Sequence, residues 1–254
     1  MRDDGQRRTF DLAIGYGSVA LFVVSIGVLF WFLAWGVDRP ESFSRALDRG
    51  IRRATEGRGD ARATFNILIV LAWGVLHSLF ARPRVREQFR RVVPPHLDSA
   101  VSSLVASVGL IAVCLLYRPM AWPVWKLAAG PALLARLVFY AGWGLLAYCF
   151  AHLDLLEVTG LRPILRRHGG TQAPPAPFLP TGPFLWVRHP VELALLIAFW
   201  AAPTMTSGHL LFALVMTVYT FVSIDLEDRR MLEIQGAAYL EYVKRVPQIL
   251  PLPR

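Results

Sequence analysis

The densest group of ionisable side chains beside apolar sequence is the segment WVRHPVEL, residues 186–193. Proline suits the first position of a helix because its missing N–H would be unpaired there, so Pro190 predicts a helix start. Arg188 and His189 then precede that helix, and Glu192 lies in its first turn. The helix dipole stabilises a carboxylate there, and charged groups at membrane depth often mark functional sites. The spacing fits either a ligand site or an interfacial arginine paired with a carboxylate at a helix start.

A second polar cluster follows the last apolar run and contains Asp225, Glu227, Asp228, Arg229 and Arg230. Apolar and aromatic residues then recur at helical spacing, which predicts an amphipathic helix that ends at Val246-Pro247. On spacing alone this is a cap helix at the membrane surface with solvated acids beside it.

Two histidines lie near other polar residues outside these clusters. His77 precedes Arg82, and His152 is followed by Asp154. A single histidine on an apolar face is more often hydrogen-bonded than a ligand.

Composition indicates an integral membrane protein. The chain has 254 residues, 55% hydrophobic and 18% charged, against about 25% charged in soluble domains. Its mean hydropathy is +0.44, and the apolar residues form long runs. The 27 Lys and Arg residues, with a net charge of +9, lie mostly beside these runs, which favours membrane lipid as a partner and not nucleic acid. Cys114 and Cys149 lie in different apolar runs, which excludes a disulfide framework.

The apolar runs predict an all-α membrane protein, a single domain of about six transmembrane helices, because a spanning helix needs about 20 apolar residues. The expected segments are span 1 at 10–37, a polar loop or surface helix at 38–62, spans at 63–81, 99–117 and 131–151, a cytoplasmic loop at 152–189, a helical hairpin at 190–226 and a cytoplasmic cofactor-binding tail at 227–254. MAWPVW, which precedes the fourth span, is typical of an interfacial aromatic belt. No small-residue face is strong enough to predict an oligomeric state.

The distribution of Lys and Arg predicts the orientation. The hairpin turn PTMTSG has neither residue, so we expect it to face away from the cytoplasm. Counting spans from that turn puts 17 Lys and Arg on the cytoplasmic side and 10 on the other. Both termini are therefore expected to be cytoplasmic.

Several chemistries have no matching motif. The chain has no glycine-rich phosphate loop, no CxxC or HExxH and no GxSxG, so the spacing predicts no metal site and no serine nucleophile. Two polar clusters at the ends of one hairpin could instead hold a charged cofactor while an apolar substrate enters from the membrane.

The motifs resemble a known superfamily. VRHP opening a short span, then a hairpin, LEDR, Gly236, Tyr239, Tyr242 and VPxxLP are similar to the isoprenylcysteine carboxyl methyltransferase superfamily of membrane methyltransferases. LHSLFARP (76–83), RVVPPHLDSAVSSLVAS (91–107) and AFWAAPTMTSGHLLFALV (198–215) resemble in particular its bacterial methanethiol S-methyltransferases. The likeness covers about residues 65–254, and the first span matches in hydropathy alone.

The resemblance implies S-adenosylmethionine as cofactor and a small apolar thiol such as methanethiol as substrate, methylated to dimethyl sulfide in the bacterial inner membrane. The implied cofactor-binding residues are Arg188, His189, Pro190, Glu192, Glu227, Asp228, Arg229, Tyr239 and Tyr242. A thiolate is the reactive form of a thiol, so a proton must be removed. The candidate catalytic residues are His77, His152 and Asp154. An isoprenylcysteine or lipid acceptor is the alternative within the superfamily.

The chain departs from the superfamily pattern at two positions. The superfamily has Tyr two residues after RHP and Gly two residues later, where this chain has Glu192 and Ala194. The pocket could therefore hold the cofactor differently, take another substrate or be non-catalytic. LHSLFARPRVR also resembles membrane proteins associated with denitrification and ζ-carotene isomerisation, in which histidines can ligate haem. In that alternative His77 and His189 would be the axial pair.

Overall fold

A computed structural model describes residues 2–37, 59–169 and 179–250. Most of the expected polar loop or surface helix at 38–62 lies outside the described residues, as do 170–178 of the expected cytoplasmic loop and 251–254 of the expected tail.

The predicted all-α class is confirmed. The elements, in order, are α1 (Arg2–Trp31), α2 (Gly59–Ala81), α3 (Pro83–Phe89), α4 (Asp98–Leu116), β1 (Pro123–Lys126), α5 (Ala129–His152), α6 (Leu155–Val158), α7 (Leu161–Gly169), α8 (Pro190–Trp200), β2 (Thr204–Thr206), α9 (Ser207–Gln235) and α10 (Ala237–Arg245). Five helices in the described ranges are long and apolar enough to cross a membrane, namely α1, α2, α4, α5 and α9. The apolar helix α8 has 11 residues, a rise of about 16 Å, so it reaches about halfway through a bilayer core.

A cluster of aromatic rings forms the centre of the core. The ring of Phe32, which lies in a π-helical turn after α1, packs edge-on against Tyr117 and Phe212 at centroid distances of 5.4 and 5.0 Å. Phe199 packs against Phe212 at 5.6 Å. These rings join α1, the end of α4 and both arms of the hairpin, so they fix where the hairpin lies in the bundle.

Helices α5 and α8 approach each other closely. A Cβ built on Gly142 of α5 would lie 3.1 Å from the carbonyl oxygen of Ala194 and 2.9 Å from Cγ2 of Ile197. Ala194 is 1% exposed. The backbone of α8 therefore lies so close to α5 that a side chain larger than hydrogen does not fit at Gly142 without a shift.

One end of the bundle, here called the ribbon end, is closed by a short β-ribbon and by side-chain to backbone bonds. Strands β1 and β2 pair antiparallel, which the sequence did not predict. The buried Asn66 amide donates to the carbonyl of Arg118 at 2.9 Å and accepts from its N–H at 2.7 Å. The Tyr117 hydroxyl donates to the carbonyl of Gly208 at 2.7 Å.

The opposite end, here called the basic end, is held by ionisable side chains. Asp11 of α1 accepts from Nε2 of His96 at 2.9 Å and from Nε2 of His168 at 2.8 Å. Buried Asp98 pairs with Arg86 and Arg90. These contacts bring the start of α1, the segment between α2 and α4, and α7 to one end of the bundle.

Candidate active site

The segment before α8 is held by the C-terminal tail. The backbone N–H of Arg188 donates to the carbonyl of Pro247 at 2.9 Å, and that of His189 donates to Gln248 at 3.1 Å. Helix α8 begins at Pro190, as the proline predicts, and His189 is its N-cap. The tail therefore fixes the backbone from which the Arg188 and His189 side chains extend.

Asp228 of α9 is the centre of the site. Its carboxylate accepts from His189 Nε2 at 2.9 Å, from Gln248 Nε2 at 3.0 Å and from the hydroxyl of Tyr239. Nη2 of Arg188 lies 3.2 Å from Asp228 Oδ2. The Arg188 and His189 side chains are only 7% and 5% exposed, so this charge cluster is largely shielded from water and each charge depends on its partners.

Gly236 brings the tyrosines of α10 to the site. Its φ of +56° lies in the left-handed region that glycine adopts without strain, and the chain turns there from α9 into α10. Tyr239 then reaches Asp228, and the Tyr242 hydroxyl donates to the carbonyl of Phe184 at 2.5 Å. The turn at Gly236 thus brings Tyr239 against Asp228 and Tyr242 against the segment before α8.

The surrounding charges determine the protonation of the site. Burial opposes a charged His189, but the hydrogen bond to Asp228 and the charges of Glu192, Asp228 and Glu227 raise the pKa of His189 overall. Burial and the bond to Asp228 raise the pKa of Tyr239, and burial raises the pKa of Tyr242 to about 12. Both phenols therefore stay protonated and act as donors at neutral pH.

Two glutamates lie on the other side of the His189 ring. Glu192 Oε2 is 3.9 Å from His189 Nδ1. One ligand atom each from His189, Glu192 and Glu227 lies within 4.8 Å of the other two. Three carboxylates thus surround one imidazole, and this arrangement favours a positive charge at the site, whether proton, sulfonium or metal ion.

Arg229 does not join this cluster. Its side chain is exposed, and no hydrogen bond or ion pair links it to another residue within the described ranges. It follows Asp228 by one position, which turns it about 100° away around the helix.

His77, which belongs to α2, contacts a different face of α9 from the one that carries Asp228. Its Nδ1 is 2.8 Å from the hydroxyl of Tyr219, nine residues before Asp228. Nine residues correspond to about 13 Å along a helix and two and a half turns, which places the two contacts on opposite faces. This geometry does not bring His77 and His189 together as one axial haem pair.

His152 contacts the segment that leads to the site. Its Nδ1 is 2.9 Å from the carbonyl of Tyr148. A Cβ on Gly182, whose φ is +55°, would lie 2.4 Å from His152 Cδ2, so the imidazole packs directly against this glycine.

Asp154 has a local structural role. It caps α6 by accepting from the N–H of Glu157 at 3.1 Å, and it pairs with Arg162. Burial would raise the pKa of Asp154, but the bonds from Arg162 and from the Glu157 N–H lower it overall.

Comparison with known proteins identifies the family. The chain is 31% identical over 246 residues to methanethiol S-methyltransferase 1 of Bradyrhizobium diazoefficiens, covering 96% of this chain and 83% of that protein. It is 30% identical over 249 residues to the methanethiol S-methyltransferase of Mycobacterium tuberculosis, covering 97% and 98%. The chain belongs to the methanethiol S-methyltransferase family. It is also 27% identical to bovine nurim over 90% of this chain and 94% of nurim.

No family model matches the chain, and no solved structure matches it. The resemblance stated from motifs within residues 65–254 is confirmed, and for these two methanethiol S-methyltransferases the alignment extends over nearly the whole chain.

Some contacts of this methanethiol S-methyltransferase family member were missed by sequence reasoning. Gln248 donates to Asp228, and Phe184 supplies the carbonyl that Tyr242 binds. Trp186 stacks on Tyr148 at a centroid distance of 5.9 Å. The ending VPxxLP marked the tail but not Gln248, and a backbone carbonyl acceptor has no residue type by which it could be found.

Proposed function

We propose that the protein transfers a methyl group from S-adenosylmethionine to methanethiol and releases dimethyl sulfide. The observation that carries the proposal is the Asp228 cluster, which joins Arg188 and His189 to α10 and the tail at the start of the short arm of the hairpin. Membership of the methanethiol S-methyltransferase family supports the reaction class and the small thiol acceptor.

The residues present fit S-adenosylmethionine. Nε of Arg188 is buried and has no hydrogen-bond partner among the described residues, so it can donate to the carboxylate of the methionine part. The carboxylates of Glu192 and Glu227 favour a cationic sulfonium. The faces of Tyr239 and Tyr242 can attract it by cation–π interaction.

The protein's own contribution is alignment and exclusion of water. The sulfonium supplies an already activated methyl group, so the protein must hold the thiol in line with it and keep water out. The shortness of α8 favours entry of the substrate from the membrane, because an apolar thiol dissolved in the bilayer can reach the residue at which α8 begins. Among the three candidate catalytic residues, contact of His152 with Gly182, seven residues before His189, favours His152.

Calorimetric titration of the detergent-solubilised protein with S-adenosylmethionine tests the cofactor. Saturable binding is expected in a colourless sample. Arg188→Ala should weaken it at least tenfold, and Arg167→Ala, an exposed residue of α7, is the matched control. Absence of binding by the wild type contradicts the proposal, and an absorbance band near 400 nm would support haem.

Headspace gas chromatography of dimethyl sulfide, with methanethiol and S-adenosylmethionine supplied, tests the acceptor. Sustained production is expected. Cofactor binding without dimethyl sulfide would show that the acceptor is wrong, and an isoprenylcysteine or lipid acceptor would then be the next substrate to assay.

We also propose that the basic end and both termini face the cytoplasm of a bacterial inner membrane. The 17 Lys and Arg residues counted for that side belong to the N-terminus, residues 82–98, 152–189 and the tail. Asp11, near the start of α1, bonds to His96 in the second of these pieces and to His168 in the third. Thr204 on β2 and Arg167 are exposed, and both native cysteines are buried. An impermeant thiol reagent should label Thr204→Cys in intact spheroplasts and Arg167→Cys only after lysis. The reverse pattern would invert the topology.

A further inference from the structure

Three side chains of the site are arranged as metal ligands, although the sequence spacing predicts no metal site. His189 Nδ1 and Glu192 Oε2 are 3.9 Å apart, and one ligand atom from each of His189, Glu192 and Glu227 lies within 4.8 Å of the other two. Ligand atoms around a tetrahedral zinc ion, at about 2.0–2.2 Å from the metal, lie roughly 3.4 Å from one another. The three ligand atoms are thus farther apart than around a bound ion, and rotation of the Glu192 and exposed Glu227 side chains would bring them together.

The bond to Asp228 orients the imidazole for this purpose. A carboxylate only accepts, so the proton shared between His189 and Asp228 lies on Nε2. The other ring nitrogen, Nδ1, lies 3.9 Å from Glu192 Oε2, and a metal ion would take the place of a proton there. A histidine ligand usually donates its second N–H to a carboxylate, which fixes the tautomer and the ring orientation. Here Arg188, Tyr239 and Gln248 hold that carboxylate in place.

Glu192 is the residue that completes the set. The resemblance places a tyrosine at this position in the superfamily, and a neutral phenol is a much poorer ligand than a carboxylate. Glu192 and Glu227 also repel each other where they stand, and a divalent cation between them offsets that repulsion. The departure from the superfamily pattern thus adds a ligand at the position where the third one is needed.

We propose that His189, Glu192 and Glu227 bind a divalent metal ion of the zinc class, which holds the substrate thiol as a thiolate. The proposal rests on the proposed function and names the group that ionises its substrate. Three nitrogen and oxygen ligands leave a fourth position open, as in catalytic zinc sites. A thiolate is a favoured zinc ligand, and a coordinated thiol ionises readily.

The transfer step balances in atoms and charge. The thiol loses its proton to solvent on coordination. An electron pair of the thiolate sulfur forms the new S–CH3 bond, while the pair of the broken C–S bond returns to the former sulfonium sulfur. The products are dimethyl sulfide and S-adenosylhomocysteine. With the metal bound, Glu192 and Glu227 neutralise the ion and no longer act on the sulfonium directly. The bound thiolate then presents the one net negative charge that attracts it.

Metal binding can be measured apart from catalysis. The full chain in detergent is stripped with a chelator, dialysed and titrated with Zn²⁺ or Co²⁺, and metal content and cobalt absorption are recorded. About one ion per chain is expected, and methanethiol should add a thiolate-to-cobalt charge-transfer band. Glu192→Gln should weaken metal affinity at least tenfold, and Asp228→Asn should weaken it about 10–100-fold through the imidazole.

The matched control is Glu233→Gln, an exposed residue on the same helix, which should bind metal like the wild type. Glu192→Tyr, which restores the superfamily residue, is a second variant, and gel filtration and melting temperature establish that each variant is folded. If Glu192→Gln does not fold, the metal affinities of Glu192→Tyr and Glu227→Gln are measured in its place. Unchanged affinity in the folded variants would overturn the assignment.

The two proposals fail in different ways. A wild type that binds S-adenosylmethionine but no stoichiometric metal would refute the metal site and leave the proposed function intact. A wild type that binds metal at Glu192 but no S-adenosylmethionine would refute the proposed function and leave the metal site intact. A cobalt spectrum that methanethiol does not change would overturn the role in holding the thiolate.

Discussion

The two ends of the bundle satisfy their polar groups in different ways. At the ribbon end, Asn66, Tyr117 and Trp125 bond to backbone groups of Arg118, Gly208 and Ala202. At the basic end, Asp11 and Asp228 bond to ionisable side chains. A bond to the backbone fixes where the chain runs. A bond between two side chains can rearrange when a ligand arrives, so the basic end is the end suited to binding.

The Asp11 and Asp228 clusters of the basic end are unequal. The Asp11 cluster joins two histidines to α1 and lies against α4 and α7. The Asp228 cluster also has Glu192 and Glu227 beside its histidine and a buried Arg188 nitrogen without a hydrogen-bond partner in the described ranges. Of these two clusters, the Asp228 cluster is therefore the one that combines ion pairs with an unused buried donor.

The largest effect is expected from Asp228→Ala. The change leaves Arg188 and His189 buried without their counter-charge, which in buried pairs costs about 3–5 kcal/mol. Thermal unfolding in detergent should show a large loss of stability, and calorimetry should show no S-adenosylmethionine binding. Near-normal thermal stability together with near-normal binding of S-adenosylmethionine would mean that Asp228 is not the centre of the site.

Asn66→Ala probes the ribbon end and should give a smaller loss. It leaves the N–H and carbonyl of Arg118 without the Asn66 side chain, at a cost of about 1–3 kcal/mol. Melting temperature should fall, while the affinity for S-adenosylmethionine should stay within about twofold of the wild type. A selective loss of affinity would show that the two ends are coupled, and the contrast between them would fail.

Tyr242→Phe removes one hydrogen bond and keeps the ring. The loss of the bond to the Phe184 carbonyl should cost about 1 kcal/mol, a typical net value for a hydrogen bond. Cofactor affinity should change little if the ring face is the binding surface. A drop comparable to that of Arg188→Ala would show instead that the hydroxyl positions the segment before α8.

The smallest effect is expected from Asp154→Asn, because the Asp154 side chain is largely exposed and asparagine still caps a helix. The pKa of Asp154 is lowered in the folded state. Its charge therefore stabilises the fold above the ordinary value of about 3.9, and that contribution is lost as pH falls through the folded pKa. Between about pH 5 and pH 3, the melting temperature of the wild type should fall slightly more than that of Asp154→Asn. A loss of turnover at neutral pH would revive Asp154 as a catalytic residue.

The long apolar runs and Pro190 predicted the fold class and the start of α8, because bilayer thickness and proline geometry act locally along the chain. The β-ribbon was missed because strands of four and three residues, one beginning with proline, carry no usable periodicity. The cluster of Arg188, His189 and Asp228 was indicated by family motifs. The resemblance implied Glu192 and Glu227 only as cofactor-binding residues. They stand 35 positions apart, and it is the fold that puts a ligand atom of each within 4.8 Å of the other and of His189.

The backbone bonds from Arg188 and His189 to Pro247 and Gln248 also make the site sensitive to proteolysis. The long apolar helices among the described residues all precede Gly236, so a cut after the exposed Arg245 would leave them in the membrane. The same cut would break the covalent link between α10 and both backbone acceptors. The segment before α8 would then lose its anchor while the membrane-spanning bundle stays intact.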